Sequence, residues 1–197
     1  MAAVLCGLPS AVMAEECPVD AETLEIFAET GEVPVHFKVI GAEAMVSGTI
    51  TNALPCKLAR LIRDHPQVET LVFRHMPGSV AEADNLRAGR LLRAAGLNTR
   101  VKGDSDIASG AVTLFLAGVK REGAPGARLG VHTWYYTYGQ AGSDYTPSAA
   151  EHRDYLDYYA MLGRSAAFYW FSLKAATPEE MHYLNSDELD HYGIFTE

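Results

Sequence analysis

A serine, a glycine and a histidine carry the chemistry that can be read from this chain. Ser109 sits in the small-residue turn Ile107-Ala108-Ser109-Gly110, and the apolar run Ala111-Val112-Thr113-Leu114-Phe115-Leu116 follows at once. Ala, Leu and Phe favour helix over strand there, so Ser109 is predicted at a helix start. Gly110 places an unobstructed backbone N–H beside it, and a helix start favours negative charge. His132 ends the short apolar run Leu129-Gly130-Val131, an imidazole at a strand end. A hydroxyl, a base and aimed N–H donors are what acyl transfer requires. The same residues also suit plainer roles. A Ser-Gly pair before a helix is a common N-cap, and a single histidine is often packed or solvated.

The flanking pattern positions these residues. Val33–Ile40 and Met45–Ile50 read as two strands of a hairpin across Gly41-Ala42-Glu43. A helix over Leu54–Asp64 gathers Leu54, Leu58, Leu61 and Ile62 on one face, with Pro66 after its stop. Val68–Phe73 reads as a buried strand. A second helix begins near Ser79, carries Val80, Ala83, Leu86, Leu91 and Leu92, and ends at Gly96. This alternation implies an α/β fold with a mostly parallel sheet and right-handed crossovers. Ligands in such sheets bind beyond the strand carboxyl ends. The turns Pro77-Gly78-Ser79 and Ala108-Ser109-Gly110 both follow strands and belong on that edge. Asp104-Ser105-Asp106 reads as a solvated turn, Arg121–Gly126 and Tyr135–Pro147 as loops. Two helices are expected over Ser148–Gly163 and Arg164–Ala175, a short one opens at Pro178-Glu179-Glu180, and Asp187–His191 forms a last turn. Tyr155, Tyr158 and Tyr159 share a helix face, and with Phe168, Tyr169, Trp170 and Phe171 they read as core or as a contact in a homo-oligomer.

The segment from Met45 to Trp134 resembles the core of the Clp protease proteolytic subunit and its crotonase relatives. The resemblance lies in the order of Gly48-Thr49-Ile50, Val72-Phe73, Pro77-Gly78-Ser79, Gly96, Thr99-Arg100-Val101, Ala108-Ser109-Gly110, Phe115-Leu116-Ala117-Gly118 and Gly130-Val131-His132. It covers roughly half the chain and implies a ClpP/crotonase-like fold of repeated β-α units with C-terminal helices. The resemblance makes Ser109 the nucleophile and His132 the base. Gly78, Ser79 and Gly110 then supply the oxyanion hole. Two positions depart from the pattern. The family's second turn glycine is Ser79 here, a strained choice if that residue needs φ > 0. The aspartate that orients the histidine falls on Met181, which leaves Glu180, Asp154 or Asp157 as third-residue candidates, with His152 and His182 nearby. More closely, the chain resembles exported Clp-peptidase-like proteins of bacteria, a group that brings no established substrate.

Composition bounds the partners. The chain has 197 residues, 48% of them apolar, with a formal net charge of −9. That suits one domain with a sizeable core and argues against nucleic acid or an anionic membrane as main partner. No apolar run is long enough to span a bilayer. Residues 1–14, ending Val12-Met13-Ala14, resemble the apolar and cleavage parts of a signal peptide whose basic start is missing. Cleavage there removes Cys6, leaves a domain over 15–197, and leaves Cys17 and Cys56, either a disulfide or two separate thiols. No pattern of a zinc, calcium, nucleotide or dinucleotide site is present, so neither metal nor cofactor is expected. The reading is a periplasmic or secreted serine hydrolase, a peptidase by preference, acting on a peptide or ester. The alternative is a catalytically degenerate relative kept for binding or assembly. Crotonase-like acyl-thioester chemistry fits an exported protein less well, because coenzyme A is cytoplasmic.

Overall fold

The computed structural model describes residues 16–135 and 139–196. The apolar stretch read as a signal peptide lies outside the described residues. Asp20 opens helix α1 (Ala21–Thr30) by accepting from the Thr23 amide at 2.9 Å, and Gly31 closes it in the left-handed conformation, φ 75°. The expected hairpin follows as β1 (His36–Ile40) and β2 (Glu43–Ser47). Helix α2 (Leu54–Asp64) buries Leu54, Pro55, Leu58 and Leu61. Strand β3 (Thr70–Met76), helix α3 (Glu82–Ala94) and strand β4 (Asn98–Ala108) complete the β-α alternation. The six-residue α4 (Gly110–Phe115) is almost wholly buried. Strands β5 (Arg121–Gly123) and β6 (Arg128–Val131), helices α5 (Arg153–Met161) and α6 (Ala167–Ala175), strand β7 (His182–Tyr183) and helix α7 (Ser186–His191) finish the chain.

Seven strands form one sheet in the order β1-β2-β3-β4-β6-β7, with β5 also on β4. Pairings β2–β3, β3–β4, β4–β5 and β4–β6 are parallel, and only the flanking β1–β2 and β6–β7 are antiparallel. The core is continuous across the sheet and its helices, from Val46 and Phe73 through Phe115 to Tyr158 and Phe168.

Several elements depart from the sequence reading for physical reasons. The Asp104-Ser105-Asp106 turn is an irregularity inside β4. Register jumps there from Phe73↔Val101 to His75↔Asp106, and the buried Ser105 hydroxyl bridges the gap, accepting from the Lys102 amide and donating to the Phe73 carbonyl. Arg121–Gly123 pairs with β4 rather than forming a loop. The segment opened by Pro178 yields a strand, β7, not a helix, because β6 offers it an open edge. On α3 the buried face runs through Asn85, Leu86, Ala88, Gly89 and Leu92, while Val80 is exposed ahead of the helix. Gly89 leaves the room that Tyr158 of α5 fills.

Candidate active site

Ser109 sits at an abrupt strand-to-helix elbow. Its amide donates to the Gly130 carbonyl at 2.9 Å, continuing the β4–β6 pairing, while its carbonyl accepts from Val112 at 2.9 Å to start α4. Sheet register on one side and a helical turn on the other leave the residue at φ 53° and ψ −126°. Among the described residues it is the one non-glycine with positive φ. That conformation costs of order 1–3 kcal/mol and persists only where the surroundings over-determine it. The hydroxyl makes no capping bond, so the plain N-cap role fails. The side chain faces a cleft of about 440 Å³, open mouth included, which His132 also lines.

Two turns bring amides to the same place. Gly78, at φ 147°, packs so closely that a Cβ on it would stand 3.2 Å from the Ser109 Cβ. Gly110 is hemmed by Ser79, Asn85 and Glu82, and Asn85 Nδ2 donates to its carbonyl at 2.8 Å. Among the described residues no protein acceptor takes the Gly78, Ser79 or Gly110 amide. Buried N–H groups left unpaired are costly, and the two glycines that carry such groups lie against or next to Ser109. A helix of six residues has little macrodipole, so any anion binding here belongs to individual amides. Ser79 is not among the positive-φ residues, so serine in place of the family's second glycine costs no backbone strain.

His132 follows β6, and the neighbouring Thr133 amide donates to the Ala176 carbonyl at 3.1 Å. Its Nδ1 lies 3.0 Å from the Pro178 carbonyl oxygen. A carbonyl only accepts, so the contact requires a proton on Nδ1 and leaves the Nε2 lone pair free. No direct hydrogen bond joins His132 to Ser109 among the described residues; the two share the cleft. Apo sites often hold such partners apart until substrate arrives.

No family model matches the chain, and no curated protein matches it. Solved structures do. One structure of the 1510-N membrane-bound stomatin-specific protease superposes with a TM-score of 0.54 at 16% identity, over 77% of this chain and 75% of that one. A second, in complex with a substrate peptide, gives 0.53 at 18% identity over 77% and 71%. An enoyl-CoA hydratase from Polaromonas sp. JS666 gives 0.50 at 10% identity over 83% and 69%. The chain has the ClpP/crotonase fold. At such identities the likeness concerns the fold alone, and the site must be argued from its own residues.

Within that ClpP/crotonase frame, the third-residue candidates stand apart from the cleft. Glu180, Asp154 and Asp157 are exposed and none lines it. His182 is engaged elsewhere, its Nε2 at 2.9 Å from Glu188, and His152 is fully buried with Nδ1 2.7 Å from the Tyr169 hydroxyl. Met181 packs on β6: a Cβ on Gly130 would meet its Cγ at 2.6 Å. The acceptor for the imidazole N–H is therefore main chain, which no search for a carboxylate in the sequence can find.

Two further components escaped the sequence reading. Tyr155, Tyr159, Phe168 and Tyr169 are more than core, because with Trp134 they wall the cleft. Tyr155 stacks on both Trp134 and Tyr169, at ring separations of 5.9 and 4.9 Å. Glu82, the first residue of α3, turns its carboxyl into the cleft beside Gly110. Its only signal in sequence was an acidic residue three positions after the glycine-bearing turn's serine, which also describes an ordinary capping box. Among the described residues no three His, Cys, Asp or Glu side chains group as metal ligands, and no helix is long and apolar enough to cross a membrane.

Proposed function

We propose that the chain is a serine hydrolase, with peptides or esters as substrates and Ser109 as nucleophile. The observation that carries this reading is the Ser109 elbow: a strained, uncapped serine held between two glycine turns whose amides meet no protein acceptor among the described residues. His132 Nε2 takes the Ser109 proton as Oγ bonds to the substrate carbonyl carbon. The carbonyl π pair moves onto oxygen, and the amides of Gly78 or Ser79 and of Gly110 receive that charge. The imidazolium then returns its proton to the leaving amine or alcohol, and water repeats the sequence to free Ser109. The Pro178 carbonyl serves the orienting role. Replacing a triad carboxylate by an amide costs about ten-thousand-fold because it selects the wrong tautomer. A carbonyl acceptor selects the right one, though it adds no charge to steady the imidazolium. The Cys17–Cys56 disulfide supports export to an oxidising compartment, the setting in which such bonds persist.

Fluorophosphonate labelling tests the reading. The probe is expected to label wild type at Ser109. Ser109→Ala should not label, and Ser109→Ala and His132→Ala should lose ester turnover to a similar degree, since members of a unit are non-additive. Glu180→Gln, Asp154→Asn and Asp157→Asn should each change turnover less than about twofold, being outside the cleft. An unlabelled wild type with no activity affected by Ser109→Ala would establish the binding-module alternative instead.

A further inference from the structure

Glu82 is part-exposed as a residue, but protein groups crowd its carboxyl. Asn85 Nδ2 donates to Oε1 at 3.3 Å, and the Ser79 and Tyr155 hydroxyls favour the charged form of the carboxyl. Its Oε2 stands 3.0 Å from the point where a side chain on Gly110 would begin, and Gly110 is the residue whose amide the hydrolase reading assigns to the oxyanion. The cleft it lines also presents Ser109, His132 after β6, Tyr155 and Tyr159 of α5 and Tyr169 of α6, and α3 itself carries Asn85 and Asp84. Among the described residues no lysine or arginine lines the cleft. Burial pushes the Glu82 carboxyl above its ordinary pKa and outweighs the donors from Asn85, Ser79 and Tyr155, which pull it down.

A second negative charge here would oppose the one that develops on substrate. A neutral carboxylic acid has the opposite effect, because its O–H can point at the forming oxyanion. We propose that Glu82 acts in this cleft as a neutral acid, donating a third hydrogen bond to the oxyanion held by the Gly78 and Gly110 turns. The proposal rests on the serine-hydrolase reading. Glu82 keeps its proton throughout; the proton that moves is the one carried from Ser109 to His132 and on to the leaving group. The turnover rate then depends on Glu82 staying protonated, and it falls as pH rises through the carboxyl's pKa.

The test is hydrolysis of p-nitrophenyl acetate against pH for wild type, Glu82→Gln and Glu82→Ala, with fluorophosphonate labelling of each. Wild type is expected to lose kcat on the alkaline side. Glu82→Gln keeps an N–H donor that does not titrate, so kcat drops about tenfold and the alkaline fall disappears. Glu82→Ala removes the donor, and kcat drops about 10²–10³-fold with KM little moved, the size seen when one oxyanion donor is lost. Glu82→Ala at wild-type kcat, Glu82→Gln as slow as Glu82→Ala, or an alkaline fall surviving in Glu82→Gln would each overturn the proposal. Wild type that fails to label defeats the hydrolase reading, whereas labelled wild type with unaffected Glu82 variants defeats this proposal alone. Should Glu82→Ala not fold, the Glu82→Gln profile and melting decide. A carboxyl with a raised folded pKa contributes stability that is full below its unfolded pKa of about 4.3 and lost as pH rises through the folded value. Melting temperatures of Glu82→Gln and wild type should therefore converge in acid, with the variant ahead above the folded pKa. A constant gap across pH would show that the carboxyl does not titrate as required.

Discussion

At φ 53° and ψ −126°, Ser109 holds a conformation that glycine adopts freely and other residues do not. The Gly130 carbonyl on one side and the first turn of α4 on the other leave it no alternative. The strain belongs to the backbone and is separable from the hydroxyl. Ser109→Ala keeps it, since alanine has a Cβ. Ser109→Gly relieves it, less the extra backbone freedom that glycine gains on unfolding. Chemical denaturation should accordingly find Ser109→Gly more stable than Ser109→Ala by about 1 kcal/mol, with both inactive. Equal stabilities would mean the elbow is not strained. At the same scale His132 shows how a backbone atom can stand in for a side chain, its Nδ1 proton being fixed by Pro178.

Strand β4 is the element that assembles the cleft. Its early residues, Thr99–Val101, pair with β5, and its late residues, Asp106–Ala108, pair with β6. The fork lets β6 run alongside the Ser109 elbow, so Gly130 grips Ser109 and the chain delivers His132 two residues later. Helix α3 closes the other side, because Asn85 and Glu82 both reach Gly110. Gly110 has no room for a methyl group: its Cβ would stand 2.6 Å from Ser79 Cβ, 2.8 Å from Asn85 Nδ2 and 3.0 Å from Glu82 Oε2. Gly110→Ala is expected to cost about 1–3 kcal/mol of stability, the range for overpacking, and to abolish fluorophosphonate labelling by moving the amide. Urea titration and labelling of the same sample check both parts. Retained labelling would show that the elbow tolerates displacement and that the amide's position is not critical.

Among the described residues of the whole molecule, the two terminal segments are fastened by different means. The N-terminal segment is tied to α2 by Cys17–Cys56, with Cα atoms 5.6 Å apart and a sequence separation of 39. The C-terminal segment is held by arginines that donate to main-chain carbonyls. Arg121 reaches Gly118, Gly193 and Ile194, and Arg164 reaches Tyr192 and Gly193. Burial, with repulsion from Arg164 and Arg93, pulls the Arg121 pKa down to about 10. The disulfide fastening is the easier to cut. In the chain-entropy model a loop of this length contributes about 4 kcal/mol. Reduction, or Cys17→Ala with Cys56→Ala, should lower the melting temperature by on the order of 10 °C. An unchanged melting temperature in reductant would show that the bond does not constrain the unfolded chain.

Periodicity was enough for much of this protein. The Val33–Ile50 hairpin, the Leu54–Asp64 helix, the β-α alternation and the placement of both glycine turns on one sheet edge follow from apolar spacing and from Gly and Pro punctuation, which are local properties. Asp20 and Gly31 also mark α1 by local chemistry. The order of Pro77-Gly78-Ser79 and Ala108-Ser109-Gly110, each after a strand, places both turns on one sheet edge from sequence alone. Tertiary structure decided the remainder. Short strands β5 and β7 form only because β4 and β6 offer open edges, and no five-residue window encodes a partner's edge. Ser105 is buried because a distant strand falls out of register beside it. The imidazole's acceptor is a proline carbonyl 46 positions away, an atom every residue possesses and no residue type advertises. Glu82 reads in sequence as a solvated first-turn acid. Its surroundings come from α4, α5 and the turn before α3, so only their packing sets whether its carboxyl carries a charge.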